Sequence, residues 1–167
     1  MTKAKTDWTS ILREVGGDVV ILRTSQRTRV AVVEYGGADL VVRKLRGKKC
    51  RTRSGLFDEF GAAWQVFYDF GENWHALDEM LHVLDDWLPA GGYVCVIEHA
   101  EELLLNPESL GALLLGFHRA GQYWSQPISD GGRFDRPARP FHLVLESSDP
   151  ALDEAVAAVG VGCSRVS

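Results

Sequence analysis

Between Trp74 and Leu88, side chains able to bind a proton or a metal recur at helical spacing: His75, Glu79, His82 and Asp86. At about 100° per residue these four fall within about 60° of one another on a helical wheel. Asp78 and Asp85 lie at one shoulder, so the face carries four acids, two histidines and no Lys or Arg of its own. Zinc or a related ion could be held by two imidazoles and a carboxylate. Two turns of straight helix, however, hold His75 and His82 on the order of 10 Å apart. That is too far to share one ion, and no metal or other cofactor is expected. A solvated surface is the plainer reading, yet solvated helix faces usually mix Lys or Arg with acids to gain pairs four residues apart. A face that stacks like charges gives up stability, and its natural use is to meet a cationic partner. Leu77, Leu81, Leu84 and Leu88 form the opposite stripe, with Trp74 and Met80 at its flanks, and are expected to face the core.

Other chemistry is sparse. Cys50, Cys95 and Cys163 lie far apart without a C-x-x-C, and Cys95 sits in the apolar run Tyr93–Ile97 as a buried small hydrophobe. His99 and His118 stand alone. There is no glycine-rich phosphate loop and no nucleophile elbow, so the sequence does not read as an enzyme. The stretch 43–53 holds seven cations in eleven residues, the density needed to grip phosphate. It is the basis of an alternative reading as a nucleic-acid-binding protein. It lacks interleaved aromatics, and a solvated strand end or internal pairing with nearby acids accounts for it as well.

The charge is distributed in blocks. The 167 residues carry a net charge of −5, but residues 1–53 hold 13 Lys and Arg against 5 acids. Residues 54–118 hold 12 acids and no Lys or Arg. Such a block would repel a nucleic acid and attract a cationic protein. No run approaches the roughly 18 apolar residues of a membrane span, and the N-terminus lacks a signal-peptide core. A cytoplasmic protein with no membrane association is expected.

The elements that would carry this face alternate. Val19–Leu22, Val30–Val33 and Leu40–Leu45 read as strands, making the N-terminal third β-rich. Leu56, Phe57, Phe60, Ala63, Trp64 and Phe67 mark one face of a helix near 56–68. A second helix runs from 74 to about 88, with Asn73 as its cap and Gly71 in a positive-φ turn before it. Tyr93–Glu98 is a strand. Asn106-Pro107 opens a third helix to about 120, His142–Glu146 is a further strand, and 150–159 is an amphipathic last helix. Helices between strands imply parallel pairing. Residues 122–140 form a long loop, either mobile or a surface arm with a role.

The stretch Phe67-Tyr-Asp-Phe-Gly-Glu-Asn-Trp-His-Ala-Leu-Asp-Glu-Met-Leu81 resembles the signature of the barstar family of intracellular ribonuclease inhibitors. The shared frame is Phe70, Gly71, Glu72, Asn73, Trp74, Ala76 and Leu77, at the opening of the family's second helix. The resemblance covers roughly 38–121 and the strand at 142–146. It implies an α/β fold, a three-stranded parallel sheet flanked by helices, in a domain of residues 38–167 with a β-rich extension at 1–37. It also implies a partner: a small basic secreted ribonuclease or nuclease toxin, blocked at its active site to protect the producing cell. Carried over by position, the binding surface comprises Asp69, Gly71, Asn73, Trp74, His75, Ala76, Asp78, Glu79, Val83 and Leu84, with Gly116 and Arg119 from the third helix. The wheel adds His82 and Asp86. Glu79 falls where the family has its central carboxylate, one methylene longer. His75 replaces another acid, Asp78 an aromatic and Arg119 a third acid, which suits a nuclease with a charge layout other than barnase's. An immunity protein against a toxin that is not a ribonuclease is the remaining alternative.

Overall fold

The computed structural model describes residues 8–23, 39–66 and 71–166. In chain order these form α1 (Trp8–Ile11), β1 (Val19–Leu22), β2 (Leu40–Arg46), α2 (Arg53–Trp64), α3 (Trp74–His82) and β3 (Gly92–Glu98). Then follow α4 (Pro107–Trp124), β4 (Phe141–Glu146), α5 (Pro150–Val159) and β5 (Cys163–Val166). Short 3-10 turns occupy Gly47–Lys49, Leu84–Asp86 and Ala100–Leu105.

The strands make one parallel sheet in the order β2-β3-β4-β1-β5. Nearly unbroken apolar runs such as Val19–Leu22 and Tyr93–Ile97 suit strands covered on both faces, and every residue of both runs is buried. The three strands expected from the sequence are neighbours, with Leu40 opposite Gly92 and Tyr93 opposite Phe141. The count of three is corrected to five. Val19 pairs with Leu143 on one side and Cys163 on the other, so the strand read as part of an N-terminal extension lies inside the sheet. β5 escaped the sequence reading because it is an edge strand whose Ser164 and Arg165 are exposed, leaving no apolar run. The expected strand at Val30–Val33 lies outside the described residues.

One face of the sheet packs against α2, α3, α4 and α5 around Phe57, Phe60, Trp64, Leu81, Leu113, Phe117 and Trp124. A smaller cluster of Leu12, Val20, Leu22, Val94, Val96 and Val144 lies on the other. Helix ends follow local chemistry. Thr52 caps α2 by accepting from the Gly55 N–H at 3.1 Å, and left-handed Gln65 ends that helix three residues before the expected 68. Asn106 and Asp149 cap α4 and α5 as their Asx-Pro starts require.

α3 stops at His82 rather than continuing to 88. Val83 leaves helical geometry and a 3-10 turn takes over. Tertiary bonds claim the segment beyond: Trp87 Nε1 donates to the Trp64 carbonyl at 3.1 Å, and the Tyr93 hydroxyl donates to the Leu88 carbonyl at 2.8 Å. Segment 122–140 is fastened at several points. Its first residues extend α4, and Ile128 and Arg136 then form an antiparallel bridge. The buried Arg136 guanidinium donates to the carbonyls of Tyr123, Gln126 and Pro137, and lies over the rings of Tyr123 and Trp124.

Candidate functional site

α3 is set on the core by Leu77, Met80 and Leu81, all buried, and by the Trp124 indole, which donates to the Leu81 carbonyl at 2.7 Å. Its start is fixed by Asn73, whose Oδ1 accepts from the Ala76 N–H at 2.9 Å. A Cβ at Gly71 would lie 3.0 Å from Asn73 Nδ2, so glycine leaves room for the cap. Trp74 tucks half-buried against Phe57, ring centres 4.9 Å apart. Ala76 is half-buried behind it.

This anchoring turns the acidic face outward. The Glu79 side chain is 68% exposed, and one turn earlier His75, 82% exposed, places Nε2 3.2 Å from Glu79 Oε1. Asp86 and Val83 are exposed as well. His82 is half-buried against Tyr123, ring centres 4.8 Å apart. Its Nδ1 sits 2.6 Å from the Asp78 carbonyl, which can only accept, so Nδ1 carries the proton. That nitrogen is therefore committed to its own helix.

The face has cations that its own helix does not supply. Arg119 of α4 donates through Nε to Asp78 at 3.1 Å, and Arg139 of the arm donates to Asp85 at 3.1 Å. Of the four acids on the face, Glu79 and Asp86 are left without a Lys or Arg pair among the described residues. Two of the four acids are thus matched by cations from elsewhere in the chain. Arg139 and Tyr123 are neighbours of the face that sequence reading missed. Arg139 lies 54 residues from its partner, and no local pattern signals such a pair.

Two proposed surface residues are not on the surface. Leu84 is fully buried in the core, as its place on the leucine stripe requires. Gly116 is buried too, although a Cβ built there meets nothing within 4 Å. Asp69 lies outside the described residues.

Three of the seven cations in the basic stretch pair with carboxylates of the fold. Lys44 pairs with Glu98 at 3.1 Å, Arg46 grips Glu59 through Nε and Nη2, and Arg51 grips Glu102 at 2.7 and 2.9 Å. The bonded guanidinium holds each of Glu59 and Glu102 below its ordinary carboxylate range. Internal pairing with the acidic block thus accounts for Lys44, Arg46 and Arg51, while Lys48 and Lys49 are exposed. The thiols offer little chemistry: burial pushes Cys50 up to about 12 and raises Cys95 further. Among the described residues, no three His, Cys, Asp or Glu gather as a metal site, and no helix is long and apolar enough to cross a membrane.

A family model described as Barstar (barnase inhibitor) matches residues 40–146, from the first residue of β2 to the last of β4. No curated protein and no solved structure matches the chain.

Proposed function

This chain belongs to the barstar family, and on that premise we propose that it binds a ribonuclease or nuclease toxin and blocks its active site through the exposed face of α3. The observation that carries the reading is Glu79: a carboxylate projecting from a rigid helix, without a Lys or Arg partner among the described residues. A ribonuclease holds RNA phosphate with cations, so a carboxylate fixed in space can occupy the phosphate position. Asp86 adds to the same field. His75, Ala76, His82, Val83 and Arg119 surround it, Gly71, Asn73 and Trp74 set the helix start, and Asp69 belongs to the preceding loop. Asp78 contributes through its pair with Arg119, while Leu84 and Gly116 support the face from beneath.

The partner is a small basic nuclease made for export, and the chain acts in the cytoplasm to protect the cell that makes it. His75 and the Arg119–Asp78 pair make the face less negative than a row of acids. The matching enzyme therefore needs fewer cations around the one opposite Glu79, and barnase itself is not the best fit. The nucleic-acid reading is the less favoured one, because Lys44, Arg46 and Arg51, three of the seven cations behind it, are matched by carboxylates of the same chain.

The test is titration of a panel of purified bacterial ribonucleases, barnase among them, with the wild-type chain on a fluorogenic RNA. Stoichiometric inhibition of at least one enzyme is expected, lost in Glu79→Ala and kept in Lys48→Ala. The reverse pattern, or RNA binding by the chain alone that Lys48→Ala removes, would overturn the proposal. Inhibition of a toxin that cleaves no RNA would move it to the wider class of immunity proteins.

A further inference from the structure

The arm between α4 and β4 is longer and better fastened than a connection needs. Links between a helix and a strand commonly take about 2–6 residues, whereas this one runs from Ser125 to Pro140. Arg136 is buried at its base between two aromatic rings and three carbonyls. At its tip the Asp135 carboxylate accepts from the N–H groups of Asp130, Gly131 and Gly132, at 2.9 to 3.2 Å. Gly131 takes φ +79, which only glycine adopts at little cost. All of this ordering presents one large apolar side chain. Phe134 is 63% exposed, and the Arg133 guanidinium lies 4.5 Å above its ring.

The arm is also continuous with the α3 face. Arg136 stacks on Tyr123, and the Tyr123 ring meets His82. Arg139 reaches Asp85 in the turn that follows α3. Phe134 is two residues from Arg136, a span of at most about 7 Å of chain. Tyr123 thus joins the base of the arm to the α3 face, and Phe134 stands within two residues of that base.

We propose that the arm is a second contact element for the same nuclease, with Phe134 as a pre-ordered aromatic anchor entering an apolar pocket beside the enzyme's active site. The inference rests on the inhibitor reading above. Anchors of this kind are rigid aromatics whose ordering is complete before binding, so that little entropy is lost on docking. The partner's surface is then bipartite: a cation in the cleft opposite Glu79, and an apolar pocket at the rim opposite Phe134.

The experiment uses the ribonuclease from the panel that the wild-type chain inhibits. Inhibition constants are measured for the wild type, Glu79→Ala, Phe134→Ala and Leu105→Ala. Leu105 is as exposed as Phe134, at 67%, but lies before the first turn of α4. It is thus separated from the arm by a helix about 27 Å long. Phe134→Ala is expected to weaken inhibition about tenfold or more, mainly through faster dissociation, with an unchanged melting temperature. Leu105→Ala should match the wild type. Loss in Glu79→Ala with no change in Phe134→Ala would overturn the arm's role while leaving the inhibitor reading intact. Equal losses in Phe134→Ala and Leu105→Ala would make the effect nonspecific and also overturn it. No inhibition by the wild type would overturn both readings.

Discussion

Glu79 is the residue on which function can be separated from stability. If its carboxylate meets a cation in a desolvated cleft, removing it leaves that cation buried and unpaired. Glu79→Ala should then weaken the complex by about 2–5 kcal/mol, a range that draws in part on barnase–barstar pairs. In the free protein the side chain is mostly in water, so urea denaturation of the same variant should move by no more than about 0.5 kcal/mol. A residue of opposite character is His142. Its side chain has no solvent exposure; Nδ1 accepts from the Asp18 N–H at 3.2 Å and Nε2 donates to the Glu14 carbonyl at 2.9 Å. Burial holds its pKa below the ordinary value, although the bond to Glu14 and the nearby Asp18 carboxylate oppose this. The unfolded chain therefore takes up the proton first. The contribution of His142 is complete above about pH 6.5 and is lost as pH falls from there toward the folded-state value. Stability curves of the wild type and His142→Gln, which cannot charge, should converge as pH falls below about 6.5. Parallel curves would show that His142 does not titrate in this range.

At the scale of elements, α4 carries an internal comparison. Gly111, Gly116 and Gly121 recur at five-residue intervals along one helix, in two kinds of surroundings. A Cβ at Gly111 or Gly116 meets nothing, so Gly116→Ala should stabilise the fold by about 0.5–1 kcal/mol through helix propensity. A Cβ at Gly121 would lie 2.3 Å from the Gly17 Cα, and neither backbone can yield cheaply. Gly121→Ala should cost about 1–3 kcal/mol or more, read as a lower urea midpoint. Elements were legible where the chain marks them: Asn106-Pro107 opened α4, and the amphipathic run 150–159 is α5. The end of α3 was not, because the leucine period runs on through Leu84 into a turn that only tertiary hydrogen bonds distinguish from helix. The acidic side of the candidate face was visible in the sequence. Its neutralisation by Arg119 and Arg139 was not, since those partners are 41 and 54 positions away.

At the scale of the molecule, the matched family span begins at residue 40, but the sheet does not. β1 fills the place between β4 and β5, and His142 and the Gly17–Gly121 contact fasten the segment that leads into it. A fragment of residues 40–167 would leave an open slot with unpaired backbone on both sides. It should show no cooperative thermal transition, whereas the full chain should show one. A fragment that melted cooperatively would mean that β1 is dispensable. The same placement sets a timetable for synthesis. Val19–Leu22 leaves the ribosome before any other strand of the sheet, yet its neighbours are Phe141–Glu146 and Cys163–Val166. At roughly 5–20 residues per second, the ~120 residues between them take about 6–24 s to translate. Through that interval an apolar tetrapeptide waits in the nascent chain without its mates, a natural client for holding chaperones. The scaffold behind Glu79 is finished only when residue 166 has cleared the exit tunnel.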